Sequence, residues 1–138
     1  MNILYIASSS NWHIDLWAKY FTDQHKVYLF SEKEDYLQDQ PYHKVTIIQS
    51  EGLIGRFLNL FKIKSHKLHQ FNKLISASFY ARKVDVIVQK YAIDVVHAHS
   101  LYSGYLASYI STDVPIIFTP IGSDIILHAQ TNHIYKHM

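Results

Sequence analysis

Short apolar runs alternate along this chain with longer segments whose apolar residues recur three and four positions apart. Residues 2–7, ending at Ala7, form the first run. It shows no polar alternation, as expected of a strand buried on both faces of a parallel sheet. The run empties into Ser8, Ser9, Ser10 and Asn11; Ile14, Trp17, Ala18 and Phe21 then repeat at helical spacing, with Asn11 placed to cap the helix. Residues 26–30 give a second strand. A strand, a helix and a strand in this order form a unit with parallel strands and a right-handed crossover.

Residues 31–43 are polar, contain Pro41 and read as a surface loop, and residues 44–48 supply a third strand. Gly52 and Gly55 open an apolar and basic stretch. Ser65 is placed to cap a second helix in which Leu68, Phe71, Ile75 and Phe79 share one face, the stripe such a helix turns to a core. Residues 84–88 carry β-branched side chains suited to a strand but lie between helix formers, and the helix reading is preferred. Residues 93–97 form the clearest later strand. Ser103 is placed to cap a helix over 104–110, with Leu106 and Ile110 four apart. Residues 114–119 form another strand, 120–124 leave it as a loop, and 125–138 have helix character. Strands alternating with helices predict an α/β fold, a Rossmann-like, mostly parallel sheet flanked by helices.

With 138 residues, 49% hydrophobic and 17% charged, the chain has the size and core-forming content of one globular domain and is too apolar for disorder. The lack of cysteine excludes disulfides, thiolate nucleophiles and cysteine-bound zinc. No apolar run reaches the ~18 residues that span a bilayer, and the start has no basic segment of the kind that opens a signal peptide. Charge is unevenly spread. Residues 1–51 hold four Lys/Arg against seven Asp/Glu, residues 52–84 hold seven Lys/Arg and no acid, and residues 85–138 hold two against four. The basic middle suits phosphates or an anionic membrane surface. Across 53–73, Arg56, Lys62, Lys64, Lys67 and Lys73 interleave with Phe57, Leu58, Leu60, Phe61 and Ile63. Such a mix can dip apolar groups into a bilayer surface while its cations meet anionic lipid. A helix packed on the sheet with a solvated basic face explains it equally well. No nucleic-acid motif is present, so nucleic acid is not expected as a partner.

Ligands of an open parallel sheet sit outside the carboxyl ends of its strands. Three loops leave those ends: residues 8–13, 97–102 and 119–124. Alternation puts His97 and His99 on one side of their strand, with His99 nearer the carboxyl edge. They read as a metal-chelating pair, as a structural His97 with His99 donating a hydrogen bond to a ligand, or as two satisfied edge residues. Ser9, Ser10 and Asn11 offer hydroxyls and N–H groups at a helix N-terminus, where an anion is favoured; the same residues also make an ordinary cap. The glycines of a dinucleotide fingerprint and the P-loop pattern are both missing, which disfavours a classical NAD site. Asp124 is placed to hold a substrate hydroxyl or to stabilise a first helical turn. His13 is a weaker candidate on the first helix.

Taken together, the Ser-rich first loop, the segment Asp94-Val95-Val96-His97-Ala98-His99 with its Gly104-containing helix, and the turn Thr119-Pro120-Ile121-Gly122-Ser123-Asp124 resemble the N-terminal domain of a family-4-type GT-B glycosyltransferase. The resemblance covers essentially the whole chain. It implies an enzyme of two facing Rossmann-like halves, of hexosyltransferase type, that moves sugar from a nucleotide-sugar to a glycan or lipid-linked acceptor in polysaccharide or glycolipid biosynthesis. Residues 1–138 would then be an incomplete, acceptor-side domain, inactive alone, whose nucleotide-sugar half belongs to a longer protein or a separate catalytic subunit. The resemblance also implies His99 as the catalytic residue, facing the donor sugar. Ser9, Ser10 and Asn11 would lie near the donor diphosphate, and Gly122, Ser123, Asp124 and His13 on the acceptor side. No metal and no cofactor beyond the nucleotide-sugar co-substrate are implied. The implied location is cytoplasmic, peripheral at the inner face of the cytoplasmic membrane. The first loop departs from the family pattern, with Ser8-Ser9-Ser10-Asn11 where many members carry glycines. Two other readings stand beside this one: a metal-dependent hydrolase using His97, His99 and Asp124, and a non-catalytic module that recruits a catalytic partner to a membrane.

Overall fold

The computed structural model describes residues 1–8, 12–31, 44–49, 66–123 and 126, with backbone alone for 12–15, 49 and 66–72. The first apolar run becomes the central strand β1 (Asn2–Ile6), between β2 (Lys26–Ser31) and β4 (Val95–His99). Strand β3 (Val45–Gln49) lies outside β2 and β5 (Ile116–Thr119) outside β4, so the order is β3-β2-β1-β4-β5. All four pairings are parallel. The chain thus builds outward on one side of β1, then returns to build on the other. The reversal opens a crevice at the carboxyl ends of β1 and β4, where sheets of this kind bind ligands.

The same reversal sorts the helices. Right-handed crossovers that run in opposite directions along a sheet must pack on opposite faces. Helix α1 (Trp12–Thr22) covers one face, where Ala18 and Phe21 meet Ile3, Tyr5, Val27 and Leu29. Helices α2 (His66–Lys90) and α3 (Leu101–Ala107) cover the other, packing on Leu4, Ile6, Phe30, Val96 and Ala98. Leu4, Leu29 and Val96 are fully buried, each contributing roughly 1.5–3 kcal/mol of transfer free energy. The α/β sheet expected from the alternation of runs is the one observed.

Four local expectations need correction. Residues 84–88 do continue the helix, which runs 25 residues to Lys90. Its sheet-facing stripe, however, is Ala77, Tyr80, Ala81, Val84, Ile87 and Val88. Ile75 and Phe79, the expected inner face, are 62% and 37% exposed. Small residues such as Ala77 and Ala81 let α2 approach the sheet, and that close approach decides which face turns inward. The side chains of Leu68 and Phe71 and the cap Ser65 lie outside the described residues. The fourth strand begins at Val95 rather than Ile93, because Ile93 N–H donates to Val88 O at 3.0 Å and completes the end of α2. The fifth begins at Ile116, although Pro115 O already accepts from Val96 N–H at 3.0 Å. Helix α3 starts at Leu101 with Ser100 as its cap, and Ser103 is buried within the first turn. Gly104 lets α3 and β5 close together: a Cβ there would stand 2.4 Å from the Phe118 ring.

Asn2 and Asp94 tie the amino ends of β1 and β4 together. Asn2 N–H donates to the Asp94 carboxylate at 2.6 Å, Asp94 N–H donates to Asn2 O at 2.8 Å, and the Asn2 amide donates to Tyr91 O and Ala92 O, both at 2.9 Å. Asp94 therefore fixes the strand that carries the histidines from the end remote from them. Ala92, where α2 stops, holds φ at +47°, a left-handed conformation that costs an L-residue about 1–2 kcal/mol. Ala92→Gly removes the Cβ clash while keeping the bonds that end the helix. We expect a stabilisation of about 1 kcal/mol, offset in part by the greater freedom of glycine in the unfolded chain. Denaturant unfolding checks it, and a clear loss of stability would contradict the cap geometry.

Candidate functional site

The parallel register brings the ends of β4 and β5 to one rim. His97 lies opposite Tyr5 on β1 and Ile117 on β5, and His99 lies opposite Thr119. Ser100 N–H then donates to Thr119 O at 3.1 Å, so the two strands release their loops side by side. Strand alternation sends Val96 and Ala98 to the α2 face and His97 and His99 to the α1 face. There the Trp17 indole lies across both imidazoles, with centroids 5.2 Å from His97 and 5.7 Å from His99. Tyr5 supports His97 at 5.0 Å, and the two imidazoles stand 6.1 Å apart. Trp17 is 40% exposed, whereas His97 and His99 are 6% and 4% exposed. The indole thus roofs a pair of buried imidazoles.

The two histidines have different surroundings. His97 Nε2 is 2.8 Å from the Thr119 hydroxyl, a bond that spans β4 and β5. Burial holds the His97 pKa below its ordinary value, and the neighbouring His99 lowers it further. His97 is therefore a neutral ring with its outer nitrogen engaged. Burial also pushes the Tyr5 phenol up to about 12, so no charge arises beneath the pair. His99 is the last residue of β4, edge-on to the indole.

The residue after His99 is strained. Ser100 adopts φ 99° and ψ 158°, a region open almost only to glycine and costing a serine on the order of 1–3 kcal/mol. Its hydroxyl compensates in part by accepting from Ser103 N–H at 3.4 Å, and it pairs with the Ser103 hydroxyl at 3.1 Å. This sharp exit turns the chain from β4 into α3 within one residue.

Of the residues singled out from sequence, His97 and His99 are brought together as expected. Gly122 and Ser123 follow β5 by Pro120 and Ile121 and enter a helical turn. A Cβ on Gly122 would meet nothing within 4 Å among the described residues, so no contact among them requires glycine there. Ser9, Ser10, Asn11 and Asp124 lie outside the described residues, as does the side chain of His13. Among the described residues, no group of three or more His, Asp or Glu gathers as a metal centre. The sequence names Thr119 only as the first residue of the β5 exit turn and gives no sign of its bond to His97, and Trp17 is missed as a member of the site. The parallel register, which sets Thr119 opposite His99, is what brings its hydroxyl to His97. Trp17 was placed on the helix stripe as a core residue, and nothing in the spacing showed that its neighbours across the interface would be imidazoles.

The depressed His97 pKa has a consequence for stability. Near and below ~6.5 the unfolded chain takes up a proton at this residue that the folded chain does not. Stability is thus fully present above that range and is lost as pH falls through it towards the folded value. Unfolding measured at about pH 7.5 and about pH 5.5 should show a loss at the lower pH, and a smaller one in His97→Gln. An equal loss in both would remove His97 as its source.

The profile of glycosyl transferase 4-like proteins matches residues 2–138. No curated protein matches the sequence. The five-stranded parallel sheet, the paired imidazoles at its switch-point rim and a family match across nearly every residue lead to one assignment: the chain belongs to the glycosyl transferase 4-like family.

Proposed function

We propose that this chain is the acceptor-side part of a GT-B glycosyltransferase that moves a hexose from a nucleotide-sugar to a glycan or lipid-linked acceptor in polysaccharide or glycolipid biosynthesis. The observation that carries the reading is the position of His99. It ends β4 at the switch point of the sheet, beside the exit of β5 and beneath Trp17. In the reaction the bond between the sugar anomeric carbon and the leaving diphosphate breaks. A bond to the acceptor oxygen forms, and the acceptor hydroxyl gives up its proton. Positive charge develops on the sugar ring and negative charge on the diphosphate, so the protein contributes by positioning donors where that charge grows.

His99 supplies a hydrogen bond to the donor sugar or the reacting centre from a buried site, where such a bond is stronger than in water. His97, bonded to Thr119, holds the β4 and β5 ends in register, and His99 stands nearer the carboxyl rim. The family resemblance assigns Ser9, Ser10 and Asn11 to the diphosphate, and Gly122, Ser123, Asp124 and His13 to the acceptor side. The nucleotide itself is held by a second Rossmann-like half, in the same protein or a separate subunit, and without it the 138 residues do not turn over. No metal or further cofactor takes part.

Sugar-transfer assays of the full gene product carrying this chain, run over a panel of nucleotide-sugars, test the reading. His99→Ala should lower kcat by about 100-fold or more while leaving the far-ultraviolet dichroism unchanged. A folded His99→Ala protein within threefold of the parent rate would remove His99 from the mechanism.

A further inference from the structure

From the outer face of α2 we infer a second functional surface: it docks this domain flat on an anionic lipid bilayer. The inference does not rest on sugar transfer, since it concerns a face of the domain away from the imidazole pair. Ile75, Phe79, Arg82 and Val86 follow one another at four, three and four residues, which stacks them along one side of the helix. All four point outward; Ile75 and Val86 are each 62% exposed and Phe79 is 37% exposed. Lys83 and the exposed Lys90 flank this stripe on one shoulder. Lys83 Nζ lies 5.0 Å from the Phe79 ring, and Lys90 Nζ lies 5.2 Å from that of Tyr91. Stems of this kind cover apolar surface while the ammonium groups reach beyond it. From Ile75 to Lys90 the stripe is about 22 Å long.

Charge identifies the occupant. Helix α2 carries five Lys/Arg against a single acid, Asp85. That carboxylate is turned to α3's exit, where it accepts from Ser111 N–H at 2.9 Å. An apolar ridge with cationic margins matches the boundary of a bilayer, apolar groups among the acyl chains and cations at phosphate depth. A nucleic acid would meet the cations but gain nothing from Ile75 and Val86. A second copy packed two-fold on this face would oppose like-charged margins. Of the expected membrane-facing segment at 53–73, the side chains before Lys73 lie outside the described residues; the stripe between 75 and 90 is a separate surface.

Flotation of the chain with vesicles tests this directly. With vesicles of equal parts phosphatidylcholine and phosphatidylglycerol we expect the protein in the lipid fraction, less so as salt rises, and with phosphatidylcholine alone we expect it to stay behind. The triple change Ile75→Ser, Phe79→Ser and Val86→Ser should weaken binding by about tenfold or more. Arg82→Ser with Lys90→Ser should weaken it by about fivefold per cation removed. These two positions are exposed, so the pair reads the proposal even if the triple variant does not fold. The proposal is overturned by no flotation with the mixed vesicles, by equal flotation with neutral ones, or by binding that survives both sets of changes. A dimer in solution that the same changes dissolve would also overturn it, by assigning the stripe to a second copy.

Discussion

The pairing of β4 between β1 and β5 is the constraint from which the site follows. Parallel hydrogen bonds fix which residue of β4 stands opposite which neighbour, and a slip of one position would send both imidazoles to the α2 face. The register is held at both ends. Asn2 and Asp94 clamp the amino ends by reciprocal bonds, and Thr119 bonds to His97 near the carboxyl ends. Between the clamps, Val96 and Ala98 are fully buried against α2 and α3, so the opposite face is left for His97 and His99. Two polar rings occupy this interior with Trp17 across both of them and the His97 Nε2 bonded to the Thr119 hydroxyl. That pairing of apolar and polar faces on a single five-residue strand underlies the proposed chemistry.

Much of this was legible in the residues themselves. The apolar runs gave the strands, their alternation with helices gave a parallel sheet, and the two-residue spacing of His97 and His99 gave a common side. Other features depend on contacts that no local pattern contains. The end of α2 at Ala92 is set by bonds that take up Ile93 and Asp94, so the strand starts later than its apolar run. The cap of α3 is Ser100 instead of Ser103 because the backbone turns abruptly after His99, at a φ that favours glycine and gave no compositional signal. Helix α2 was the hardest to orient. It carries apolar residues on both sides, and Ala77 and Ala81, weak signals of a core, mark the face that packs.

The same ambiguity explains why α2 has two roles. Its inner side closes the sheet through small residues and Tyr80, Val84, Ile87 and Val88. Its outer side leaves Ile75 and Val86 largely exposed and Phe79 partly so. Helix α2 runs with its amino end towards the rim of the imidazoles, as the contact between Ser76 and Tyr102 hydroxyls at 3.4 Å records. No helix among the described residues is long and apolar enough to cross a membrane, and the proposed contact is one of surface docking.

The claim beneath all of this is that one indole covers both imidazoles at the carboxyl rim of β4. Histidine ring-proton spectra of the chain, compared between the parent and Trp17→Leu, measure it most directly. An indole at 5.2 Å and 5.7 Å imposes ring-current shifts on His97 and His99 together, and the account predicts that both move towards ordinary values when Trp17 is lost. Resonances of both histidines that stay where they were, in a variant that keeps its fold, would contradict it.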